Sequence, residues 1–324
     1  MKREKTGTSA LARLFGKTET IIFLATLALM LLTAAVNSAF FSKYNMTTLL
    51  RQMSFTTIVA FGQTLILILG DIDLSVGATS CFTAITTGLI MTRTGLDPFI
   101  VLVLGLCIGA ACGLLNAFFI TRFNITPFIV TLGTQQIFTG LVYVLTEGRT
   151  VMGIPEAFLP LGQGMVFGII PIPCLIMVAL GVLVYLMLKY TPFGRYLYAI
   201  GGNQSAAMLV GISVKKYRTL VYVISGAFAA LAGMLMMARL GSAQPTVGVN
   251  WVMPSITAAV LGGTSMSGGR GSVLGTVIGS LLMVIISNSI VILRVSTYLE
   301  QVVTGSVVII AVLIDALKTR VASK

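Results

Sequence analysis

Seven runs of this chain, at 21–36, 56–69, 99–120, 169–188, 220–237, 273–293 and 302–317, are long, apolar and nearly free of charge. Roughly 20 such residues in helical form cross the hydrocarbon of a bilayer. Less clean runs at 75–92, 127–146 and 252–262 bring the candidates to ten. Only 9% of the 324 residues are charged, against about 25% in an ordinary soluble domain. Such a chain lacks the polar surface to cover itself in water. The expectation is an all-α fold, a polytopic transmembrane helical bundle of about ten spans. A membrane β-barrel would read as short alternating segments, and none is present.

Residues 20–318 are therefore expected to form one transmembrane domain. A basic leader, 1–19, precedes it with Lys2, Arg3, Lys5, Arg13 and Lys17, and a short tail, 319–324, follows. The leader has the outline of a signal peptide. Further apolar helices follow it, however, so an uncleaved first span is expected.

The net charge of +12 reflects membrane topology rather than nucleic-acid binding. Lysine and arginine gather on cytoplasmic loops. With the N-terminus inside and ten crossings, 15 of the 21 basic residues fall on the inner side. Lys43, Arg51, Arg93, Arg149, Arg239 and Arg294 fall outside. Both termini are expected to be cytoplasmic, in a bacterial inner membrane.

The absences narrow the chemistry. The chain has no histidine, which removes Ser-His-Asp catalysis and imidazole metal sites. No GxxxxGK[ST] loop is present, so this chain cannot hold ATP in a P-loop. No catalytic residue, metal or cofactor is expected. Cys81, Cys107, Cys112 and Cys174 lie in apolar runs, form no CxxC and read as small buried residues. Gly105, Gly109 and Gly113, like Gly271, Gly275 and Gly279, recur every fourth residue, the pattern of helices in close contact within a membrane.

One long inner connection stands out, 189–218, KYTPFGRYLYAIGGNQSAAMLVGISVKKYR. Asn203 is a good helix N-cap and Gly211 a good stop, which predicts a short surface helix over 203–209. From the residues alone it is either a docking face or an ordinary loop with basic anchors. FGRYLYAIGGNQSAAMLVGI resembles the cytoplasmic coupling segment of ABC importer permeases of the ribose, xylose and galactose type, within the wider branched-chain permease superfamily. Gly201, Gly202, Asn203, Ala206 and Gly211 match the family's Gly-Gly-Asn and EAA-type helix. The family's glutamate is replaced by Gln204 or Ser205, depending on register. GDIDLSVGA (70–78), ARLGSAQPTVG (238–248) and AAVLGGTSMSGGRGSVLGT (258–276) are similar to further family segments, in order along nearly the whole chain. The resemblance implies a permease subunit for a monosaccharide or similar small polar solute. It also implies a separate cytoplasmic ABC ATPase, a second permease copy or sister permease, and a periplasmic sugar-binding protein.

Two acids, Asp71 and Asp73, interrupt the apolar text at ILGDIDLSVG (68–77). A charge inside a span is costly and marks a functional candidate. Alternatively they sit in a turn, where Asp73 or Ser75 caps the next helix. VLGGTSMSGG (260–269) matches that stretch at leucine, glycine, serine and glycine, with Ile68 opposite Val260. Paired glycine-interrupted segments point to a transport pathway. Gln63, Thr64, Asn116, Thr131, Gln135, Gln136 and Asn288 supply uncharged hydrogen-bonding groups inside spans, for solute or for neighbouring helices. The lone Trp251 is expected at the membrane interface. Rival readings are a secondary transporter or channel working without an ATPase, a membrane scaffold, and a permease for branched-chain amino acids.

Overall fold

The computed structural model describes residues 18–296 and 298–322. Each of the ten apolar runs is helical. The helices are α1 (Thr18–Val36), α2 (Lys43–Ile68), α3 (Val76–Thr94), α4 (Pro98–Phe123), α5 (Pro127–Thr146), a short α6 (Pro160–Gln163) and α7 (Ile172–Tyr190). They continue with α8 (Pro192–Gly202), α9 (Gln204–Leu209), α10 (Val214–Leu240), α11 (Val252–Leu261), α12 (Val273–Ile292) and α13 (Tyr298–Ala322). Helices α4, α5, α7, α10 and α12 are long and apolar enough to cross a membrane on their own. A two-stranded hairpin, β1 (Met165–Val166) with β2 (Ile170–Pro171), lies in the connection before α7.

Three expectations change in detail. The connection 189–218 holds two helices, because Pro192 starts α8, which buries Leu197 and Ile200. Helix α13 continues to Ala322, through most of the segment read as a tail, while most of the basic leader lies outside the described residues. Helix α11 has only ten residues. At 1.5 Å per residue it extends about 15 Å, half of the roughly 30 Å hydrocarbon core, so it cannot cross alone.

The bundle is centred on α2 and α10. Every residue from Met53 to Leu69 is buried, so protein surrounds α2 on all sides. The outer helices have the reverse character. Phe99, Leu114 and Phe118 on α4, with Val178, Val182 and Leu183 on α7, are exposed. A belt of large apolar side chains of this kind suits lipid rather than water.

Glycine permits the central contact. A methyl group on Gly113 would overlap the Tyr222 carbonyl oxygen, one on Gly109 would overlap Ala230 and Gly226, and one on Gly105 would overlap Met234. The three glycines of α4 thus form a seam against α10. Gly275 and Gly279 of α12 pack in the same way against Gly262 and Ala258, at and just beyond the end of α11. Replacing Gly113 by leucine should cost at least the roughly 1–3 kcal/mol typical of overpacking. Thermal unfolding in detergent should show a lower midpoint and loss of the monodisperse protein.

Candidate functional site

Two helices stop at one end of the bundle with the same turn. Helix α2 ends where Gly70 takes φ +81°; its N–H donates to Leu67 O at 2.8 Å, and the Asp71 N–H donates to Ile66 O at 3.2 Å. Helix α11 ends where Gly263 takes φ +93°, with the Gly263 N–H donating to Val260 O at 2.9 Å and the Thr264 N–H to Ala259 O at 3.0 Å. This is the Schellman closure, which needs a left-handed residue just past the helix. The repeat read from the sequence is therefore real at the level of the turn. Its register shifts by one, because Gly70 corresponds to Gly263 rather than Gly262.

The two breaks meet. The Gly269 N–H donates to Ile68 O at 2.9 Å. Between them sits Gly201 near the end of α8, where a methyl group would overlap both Ile68 O and the Gly269 nitrogen. The surface segment thus rests backbone to backbone on both interruptions. Helix α9 follows at once. The Asn203 side chain accepts from the Ala206 N–H at 2.9 Å, and Gly211 takes φ +83° beyond its end. The predicted cap and stop are both in place. Gly202, Asn203, Gln204, Ser205, Ala206 and Gly211 are exposed, as are Met208, Leu209 and Val210, while Ala207 anchors the helix from below. A methyl on Gly202 or Gly211 would meet nothing within 4 Å.

Asp71 and Asp73 divide the work. Arg218, in the first turns of α10, forks onto Asp71, with Nε 2.9 Å from Oδ2 and Nη2 donating to Oδ1 at 3.2 Å. The same Nη2 donates to Gln204 Oε1 at 3.2 Å. One guanidinium therefore joins the first break, α10 and α9. Asp73 turns inward; its Oδ1 accepts from the Ser75 N–H at 2.8 Å and the Ser75 hydroxyl at 2.6 Å. Neither expected cap forms: Ser75 is the N-cap of α3 without a side-chain cap bond, and Asp73 instead closes the turn just ahead of the helix. Gln63 donates to Asp73 O at 2.6 Å, Asn116 to Ser75 Oγ at 2.8 Å, and Thr134 to Asn116 Oδ1 at 2.7 Å. Thr131 reaches Ile72 O at 3.3 Å. These side chains stitch the break to α2, α4 and α5.

Other polar candidates also pair between helices. Asn288 and Asn45 exchange hydrogen bonds at 3.0 and 2.8 Å, and Thr64 bonds Thr276 at 2.7 Å. Gln136 is exposed on α5. Gln135 lines a cavity. That cavity, of about 910 Å³, is lined by Asn250, Glu300, Gln135, Gln301 and Thr304 together with Leu74 of the first break. Beside it lies a smaller cavity of about 270 Å³, which shares Asn250, Pro254 and Glu300 and adds Gln52, Thr56, Gln244, Ser287 and Trp251. Trp251 is buried and stacks on Phe55 with centroids 6.3 Å apart. It is a cavity wall, not an anchor at the interface.

Sequence reasoning missed Arg218, taken as one of a basic cluster, and missed Gln52, Asn250 and Glu300. The signal for Arg218 was available, since a buried acid requires a cation.

A family profile described as "Branched-chain amino acid transport system / permease component" matches residues 45–312. The chain belongs to this permease family. The permease is 41% identical to the ribose import permease of Bacillus subtilis (strain 168), over 92% of either chain. It is 36% identical to the D-allose transport system permease of Escherichia coli (strain K12), over 86% of this chain and 85% of that one. With the galactose/methyl galactoside import permease of Haemophilus influenzae it shares 33% identity over 92% and 94% of the two chains. No solved structure matches the permease.

Removing one partner of a buried ion pair leaves an uncompensated charge and costs about 3–5 kcal/mol. Asp71→Leu or Arg218→Met alone should lower the thermal midpoint of the permease sharply. The double variant should regain most of the loss, read as a double-mutant cycle.

Proposed function

We propose that this permease is the membrane-spanning subunit of an ATP-driven importer for a monosaccharide or a similar small polar solute. The observation that carries the reading is the seat of α9. A short, exposed helix with an apolar tip at Met208–Val210 rests through Gly201 on both helix breaks. Such a helix has little use unless a partner grips it. With no P-loop in this chain, the partner is a cytoplasmic ABC ATPase, and Gly201, Gly202, Asn203, Gln204, Ser205, Ala206 and Gly211 form its docking and coupling segment.

The loops support one topology. Residues 69–75, 191–213 and 262–272 lie at one end. At the other, Arg51 donates to Gln163 O at 2.6 Å, Arg239 bonds Gln52, and Val151 pairs with Ala243. That alternation agrees with ten passes through a bacterial inner membrane, both termini cytoplasmic, with α11 and its adjoining loops together making the eighth of the ten. A periplasmic binding protein then delivers solute at the opposite end. The open faces of α5 and α13 await a second permease copy or a sister permease.

The larger cavity is of ligand-pocket size. It carries hydrogen-bonding groups suited to a polyol, the amides of Gln135, Asn250 and Gln301 and the Thr304 hydroxyl beside the carboxylate of Glu300, and the adjoining cavity adds the indole of Trp251. The named relatives are permeases for ribose, allose and galactose, which favours a sugar over a branched-chain amino acid. A proton- or sodium-coupled carrier would need a free acid in its pathway; Asp71 and Asp73 are both committed, and Glu300 is the acid that lines the cavity. No cofactor is required in this chain.

Mechanically, closure of the ATPase dimer moves α8 and α9. Because Gly201 leaves no gap, the movement displaces both breaks together, and Arg218 carries it to Asp71. Leu74, the cavity residue of the first break, then swings as the gate. Two packings of the breaks supply the two states that coupling requires.

Gly202→Trp should abolish co-purification of the ATPase and ATP-dependent sugar uptake while leaving the bundle folded. Gln135→Phe should block uptake at least tenfold yet retain the ATPase. ATP-independent uptake, with the ATPase lost from neither variant, would sink the reading.

A further inference from the structure

Helices α7 and α12 splay apart on the outer surface. Between them runs an apolar groove of about 470 Å³, floored by the Phe61 ring and walled by Val178, Gly181 and Val182 on one side and Leu274 and Val277 on the other. At the end of the bundle that carries α8, the groove opens into a polar mouth of about 400 Å³. Tyr185 and Val273 line both parts. Lys189 and Arg195 face the mouth, together with Tyr198 and Ser272. Lys189 donates to the Tyr185 hydroxyl at 2.7 Å and lies 5.1 Å from the ring centres of Tyr185 and Tyr190. These contacts hold the ammonium in place without neutralising it. The Arg195 guanidinium has no ion-pair or hydrogen-bonding partner among the described residues, and no acidic residue lines either part. The N-terminus of the 20-residue α12 opens on the same mouth and adds its positive end.

We infer that this groove and mouth are a seat for one anionic phospholipid, with an acyl chain between the exposed walls at Val178, Val182 and Leu274 and the phosphate between Lys189 and Arg195. The two halves fit no soluble ligand jointly. A free anion has no use for an apolar channel that leads away from the charge, and a zwitterionic lipid gains little from two unpaired cations. The level agrees with the proposed topology, in which this end faces the cytoplasm, so the lipid comes from the inner leaflet. Arg195 and Tyr198 belong to α8, which leads directly into α9. A seated lipid therefore braces the base of the coupling segment.

Native mass spectrometry of the permease with its ATPase tests this, with equimolar phosphatidylglycerol and phosphatidylcholine of matched chains. Phosphatidylglycerol should be retained in preference, as one tightly held molecule. Lys189→Ala with Arg195→Ala should cut that preference about thirty-fold, from roughly 1 kcal/mol per cation at a membrane surface at 1.4 kcal/mol per tenfold. Leu274→Trp, or Val182→Trp from the other wall, should fill the groove and lower retention as well. Lys215→Ala with Lys216→Ala, basic residues outside the mouth, should change nothing. Equal retention of the two lipids overturns the proposal, as does a preference that survives the Lys189 and Arg195 changes. Loss with those changes but not with either groove filler, or displacement by millimolar glycerol phosphate, marks a plain anion site and overturns it too. Because the readout is lipid retention rather than uptake, its failure leaves the importer reading standing.

Discussion

The core of this protein depends on how two of its helices are allowed to stop at the same end of an apolar bundle. A broken helix exposes backbone groups that lipid cannot satisfy. Here each break closes on itself through a left-handed glycine, and the remaining groups find each other. The Gly269 N–H meets the Ile68 carbonyl, and Gln63 and Thr131 take the carbonyls of Asp73 and Ile72. The bond between the breaks also brings them within reach of a third backbone, at Gly201. The contacts that close the two breaks are thus also the ones on which the surface segment sits.

The answer to the two acids follows. Neither faces the solute cavity. Asp73 organises the turn from within, and Asp71 belongs to a three-way junction with Arg218 and Gln204. Gln204, one of the two residues that could stand where the resemblance expects glutamate, is a member of this junction. Arg218 already has a carboxylate in Asp71, so the neutral Gln204 amide oxygen completes its contacts without a second charge.

Much of this was legible beforehand because membrane chains are written in a limited vocabulary. The apolar runs set the helices, the glycine period of α4 set its tight crossing with α10, and Asn203 and Gly211 set the bounds of α9. What stayed hidden depends on contacts between distant segments. Gln63, Asn116 and Asn288 look like pathway groups in isolation, yet each is consumed by a partner on another helix. Gln135 has the same chemistry and faces open space, a difference that only the packing decides. Trp251 misled for the same reason, since an indole suits a membrane interface and a cavity wall equally. The ten residues of α11 read as a span because the hydrophobic run continues into loops on either side.

The enclosure of α2 has a consequence for how the chain is made. This helix carries Thr56, Thr57, Gln63 and Thr64 and is wrapped by protein from Met53 onward, so it is poorly suited to standing alone in oil. Its neighbour α10 is synthesised roughly 150 residues later. Between those two moments the growing polypeptide holds a semi-polar hairpin, α2 with α3, whose proper shelter does not yet exist. The insertion machinery must shield that hairpin until α10 arrives, so biogenesis of this fold cannot proceed as a simple series of independent insertions.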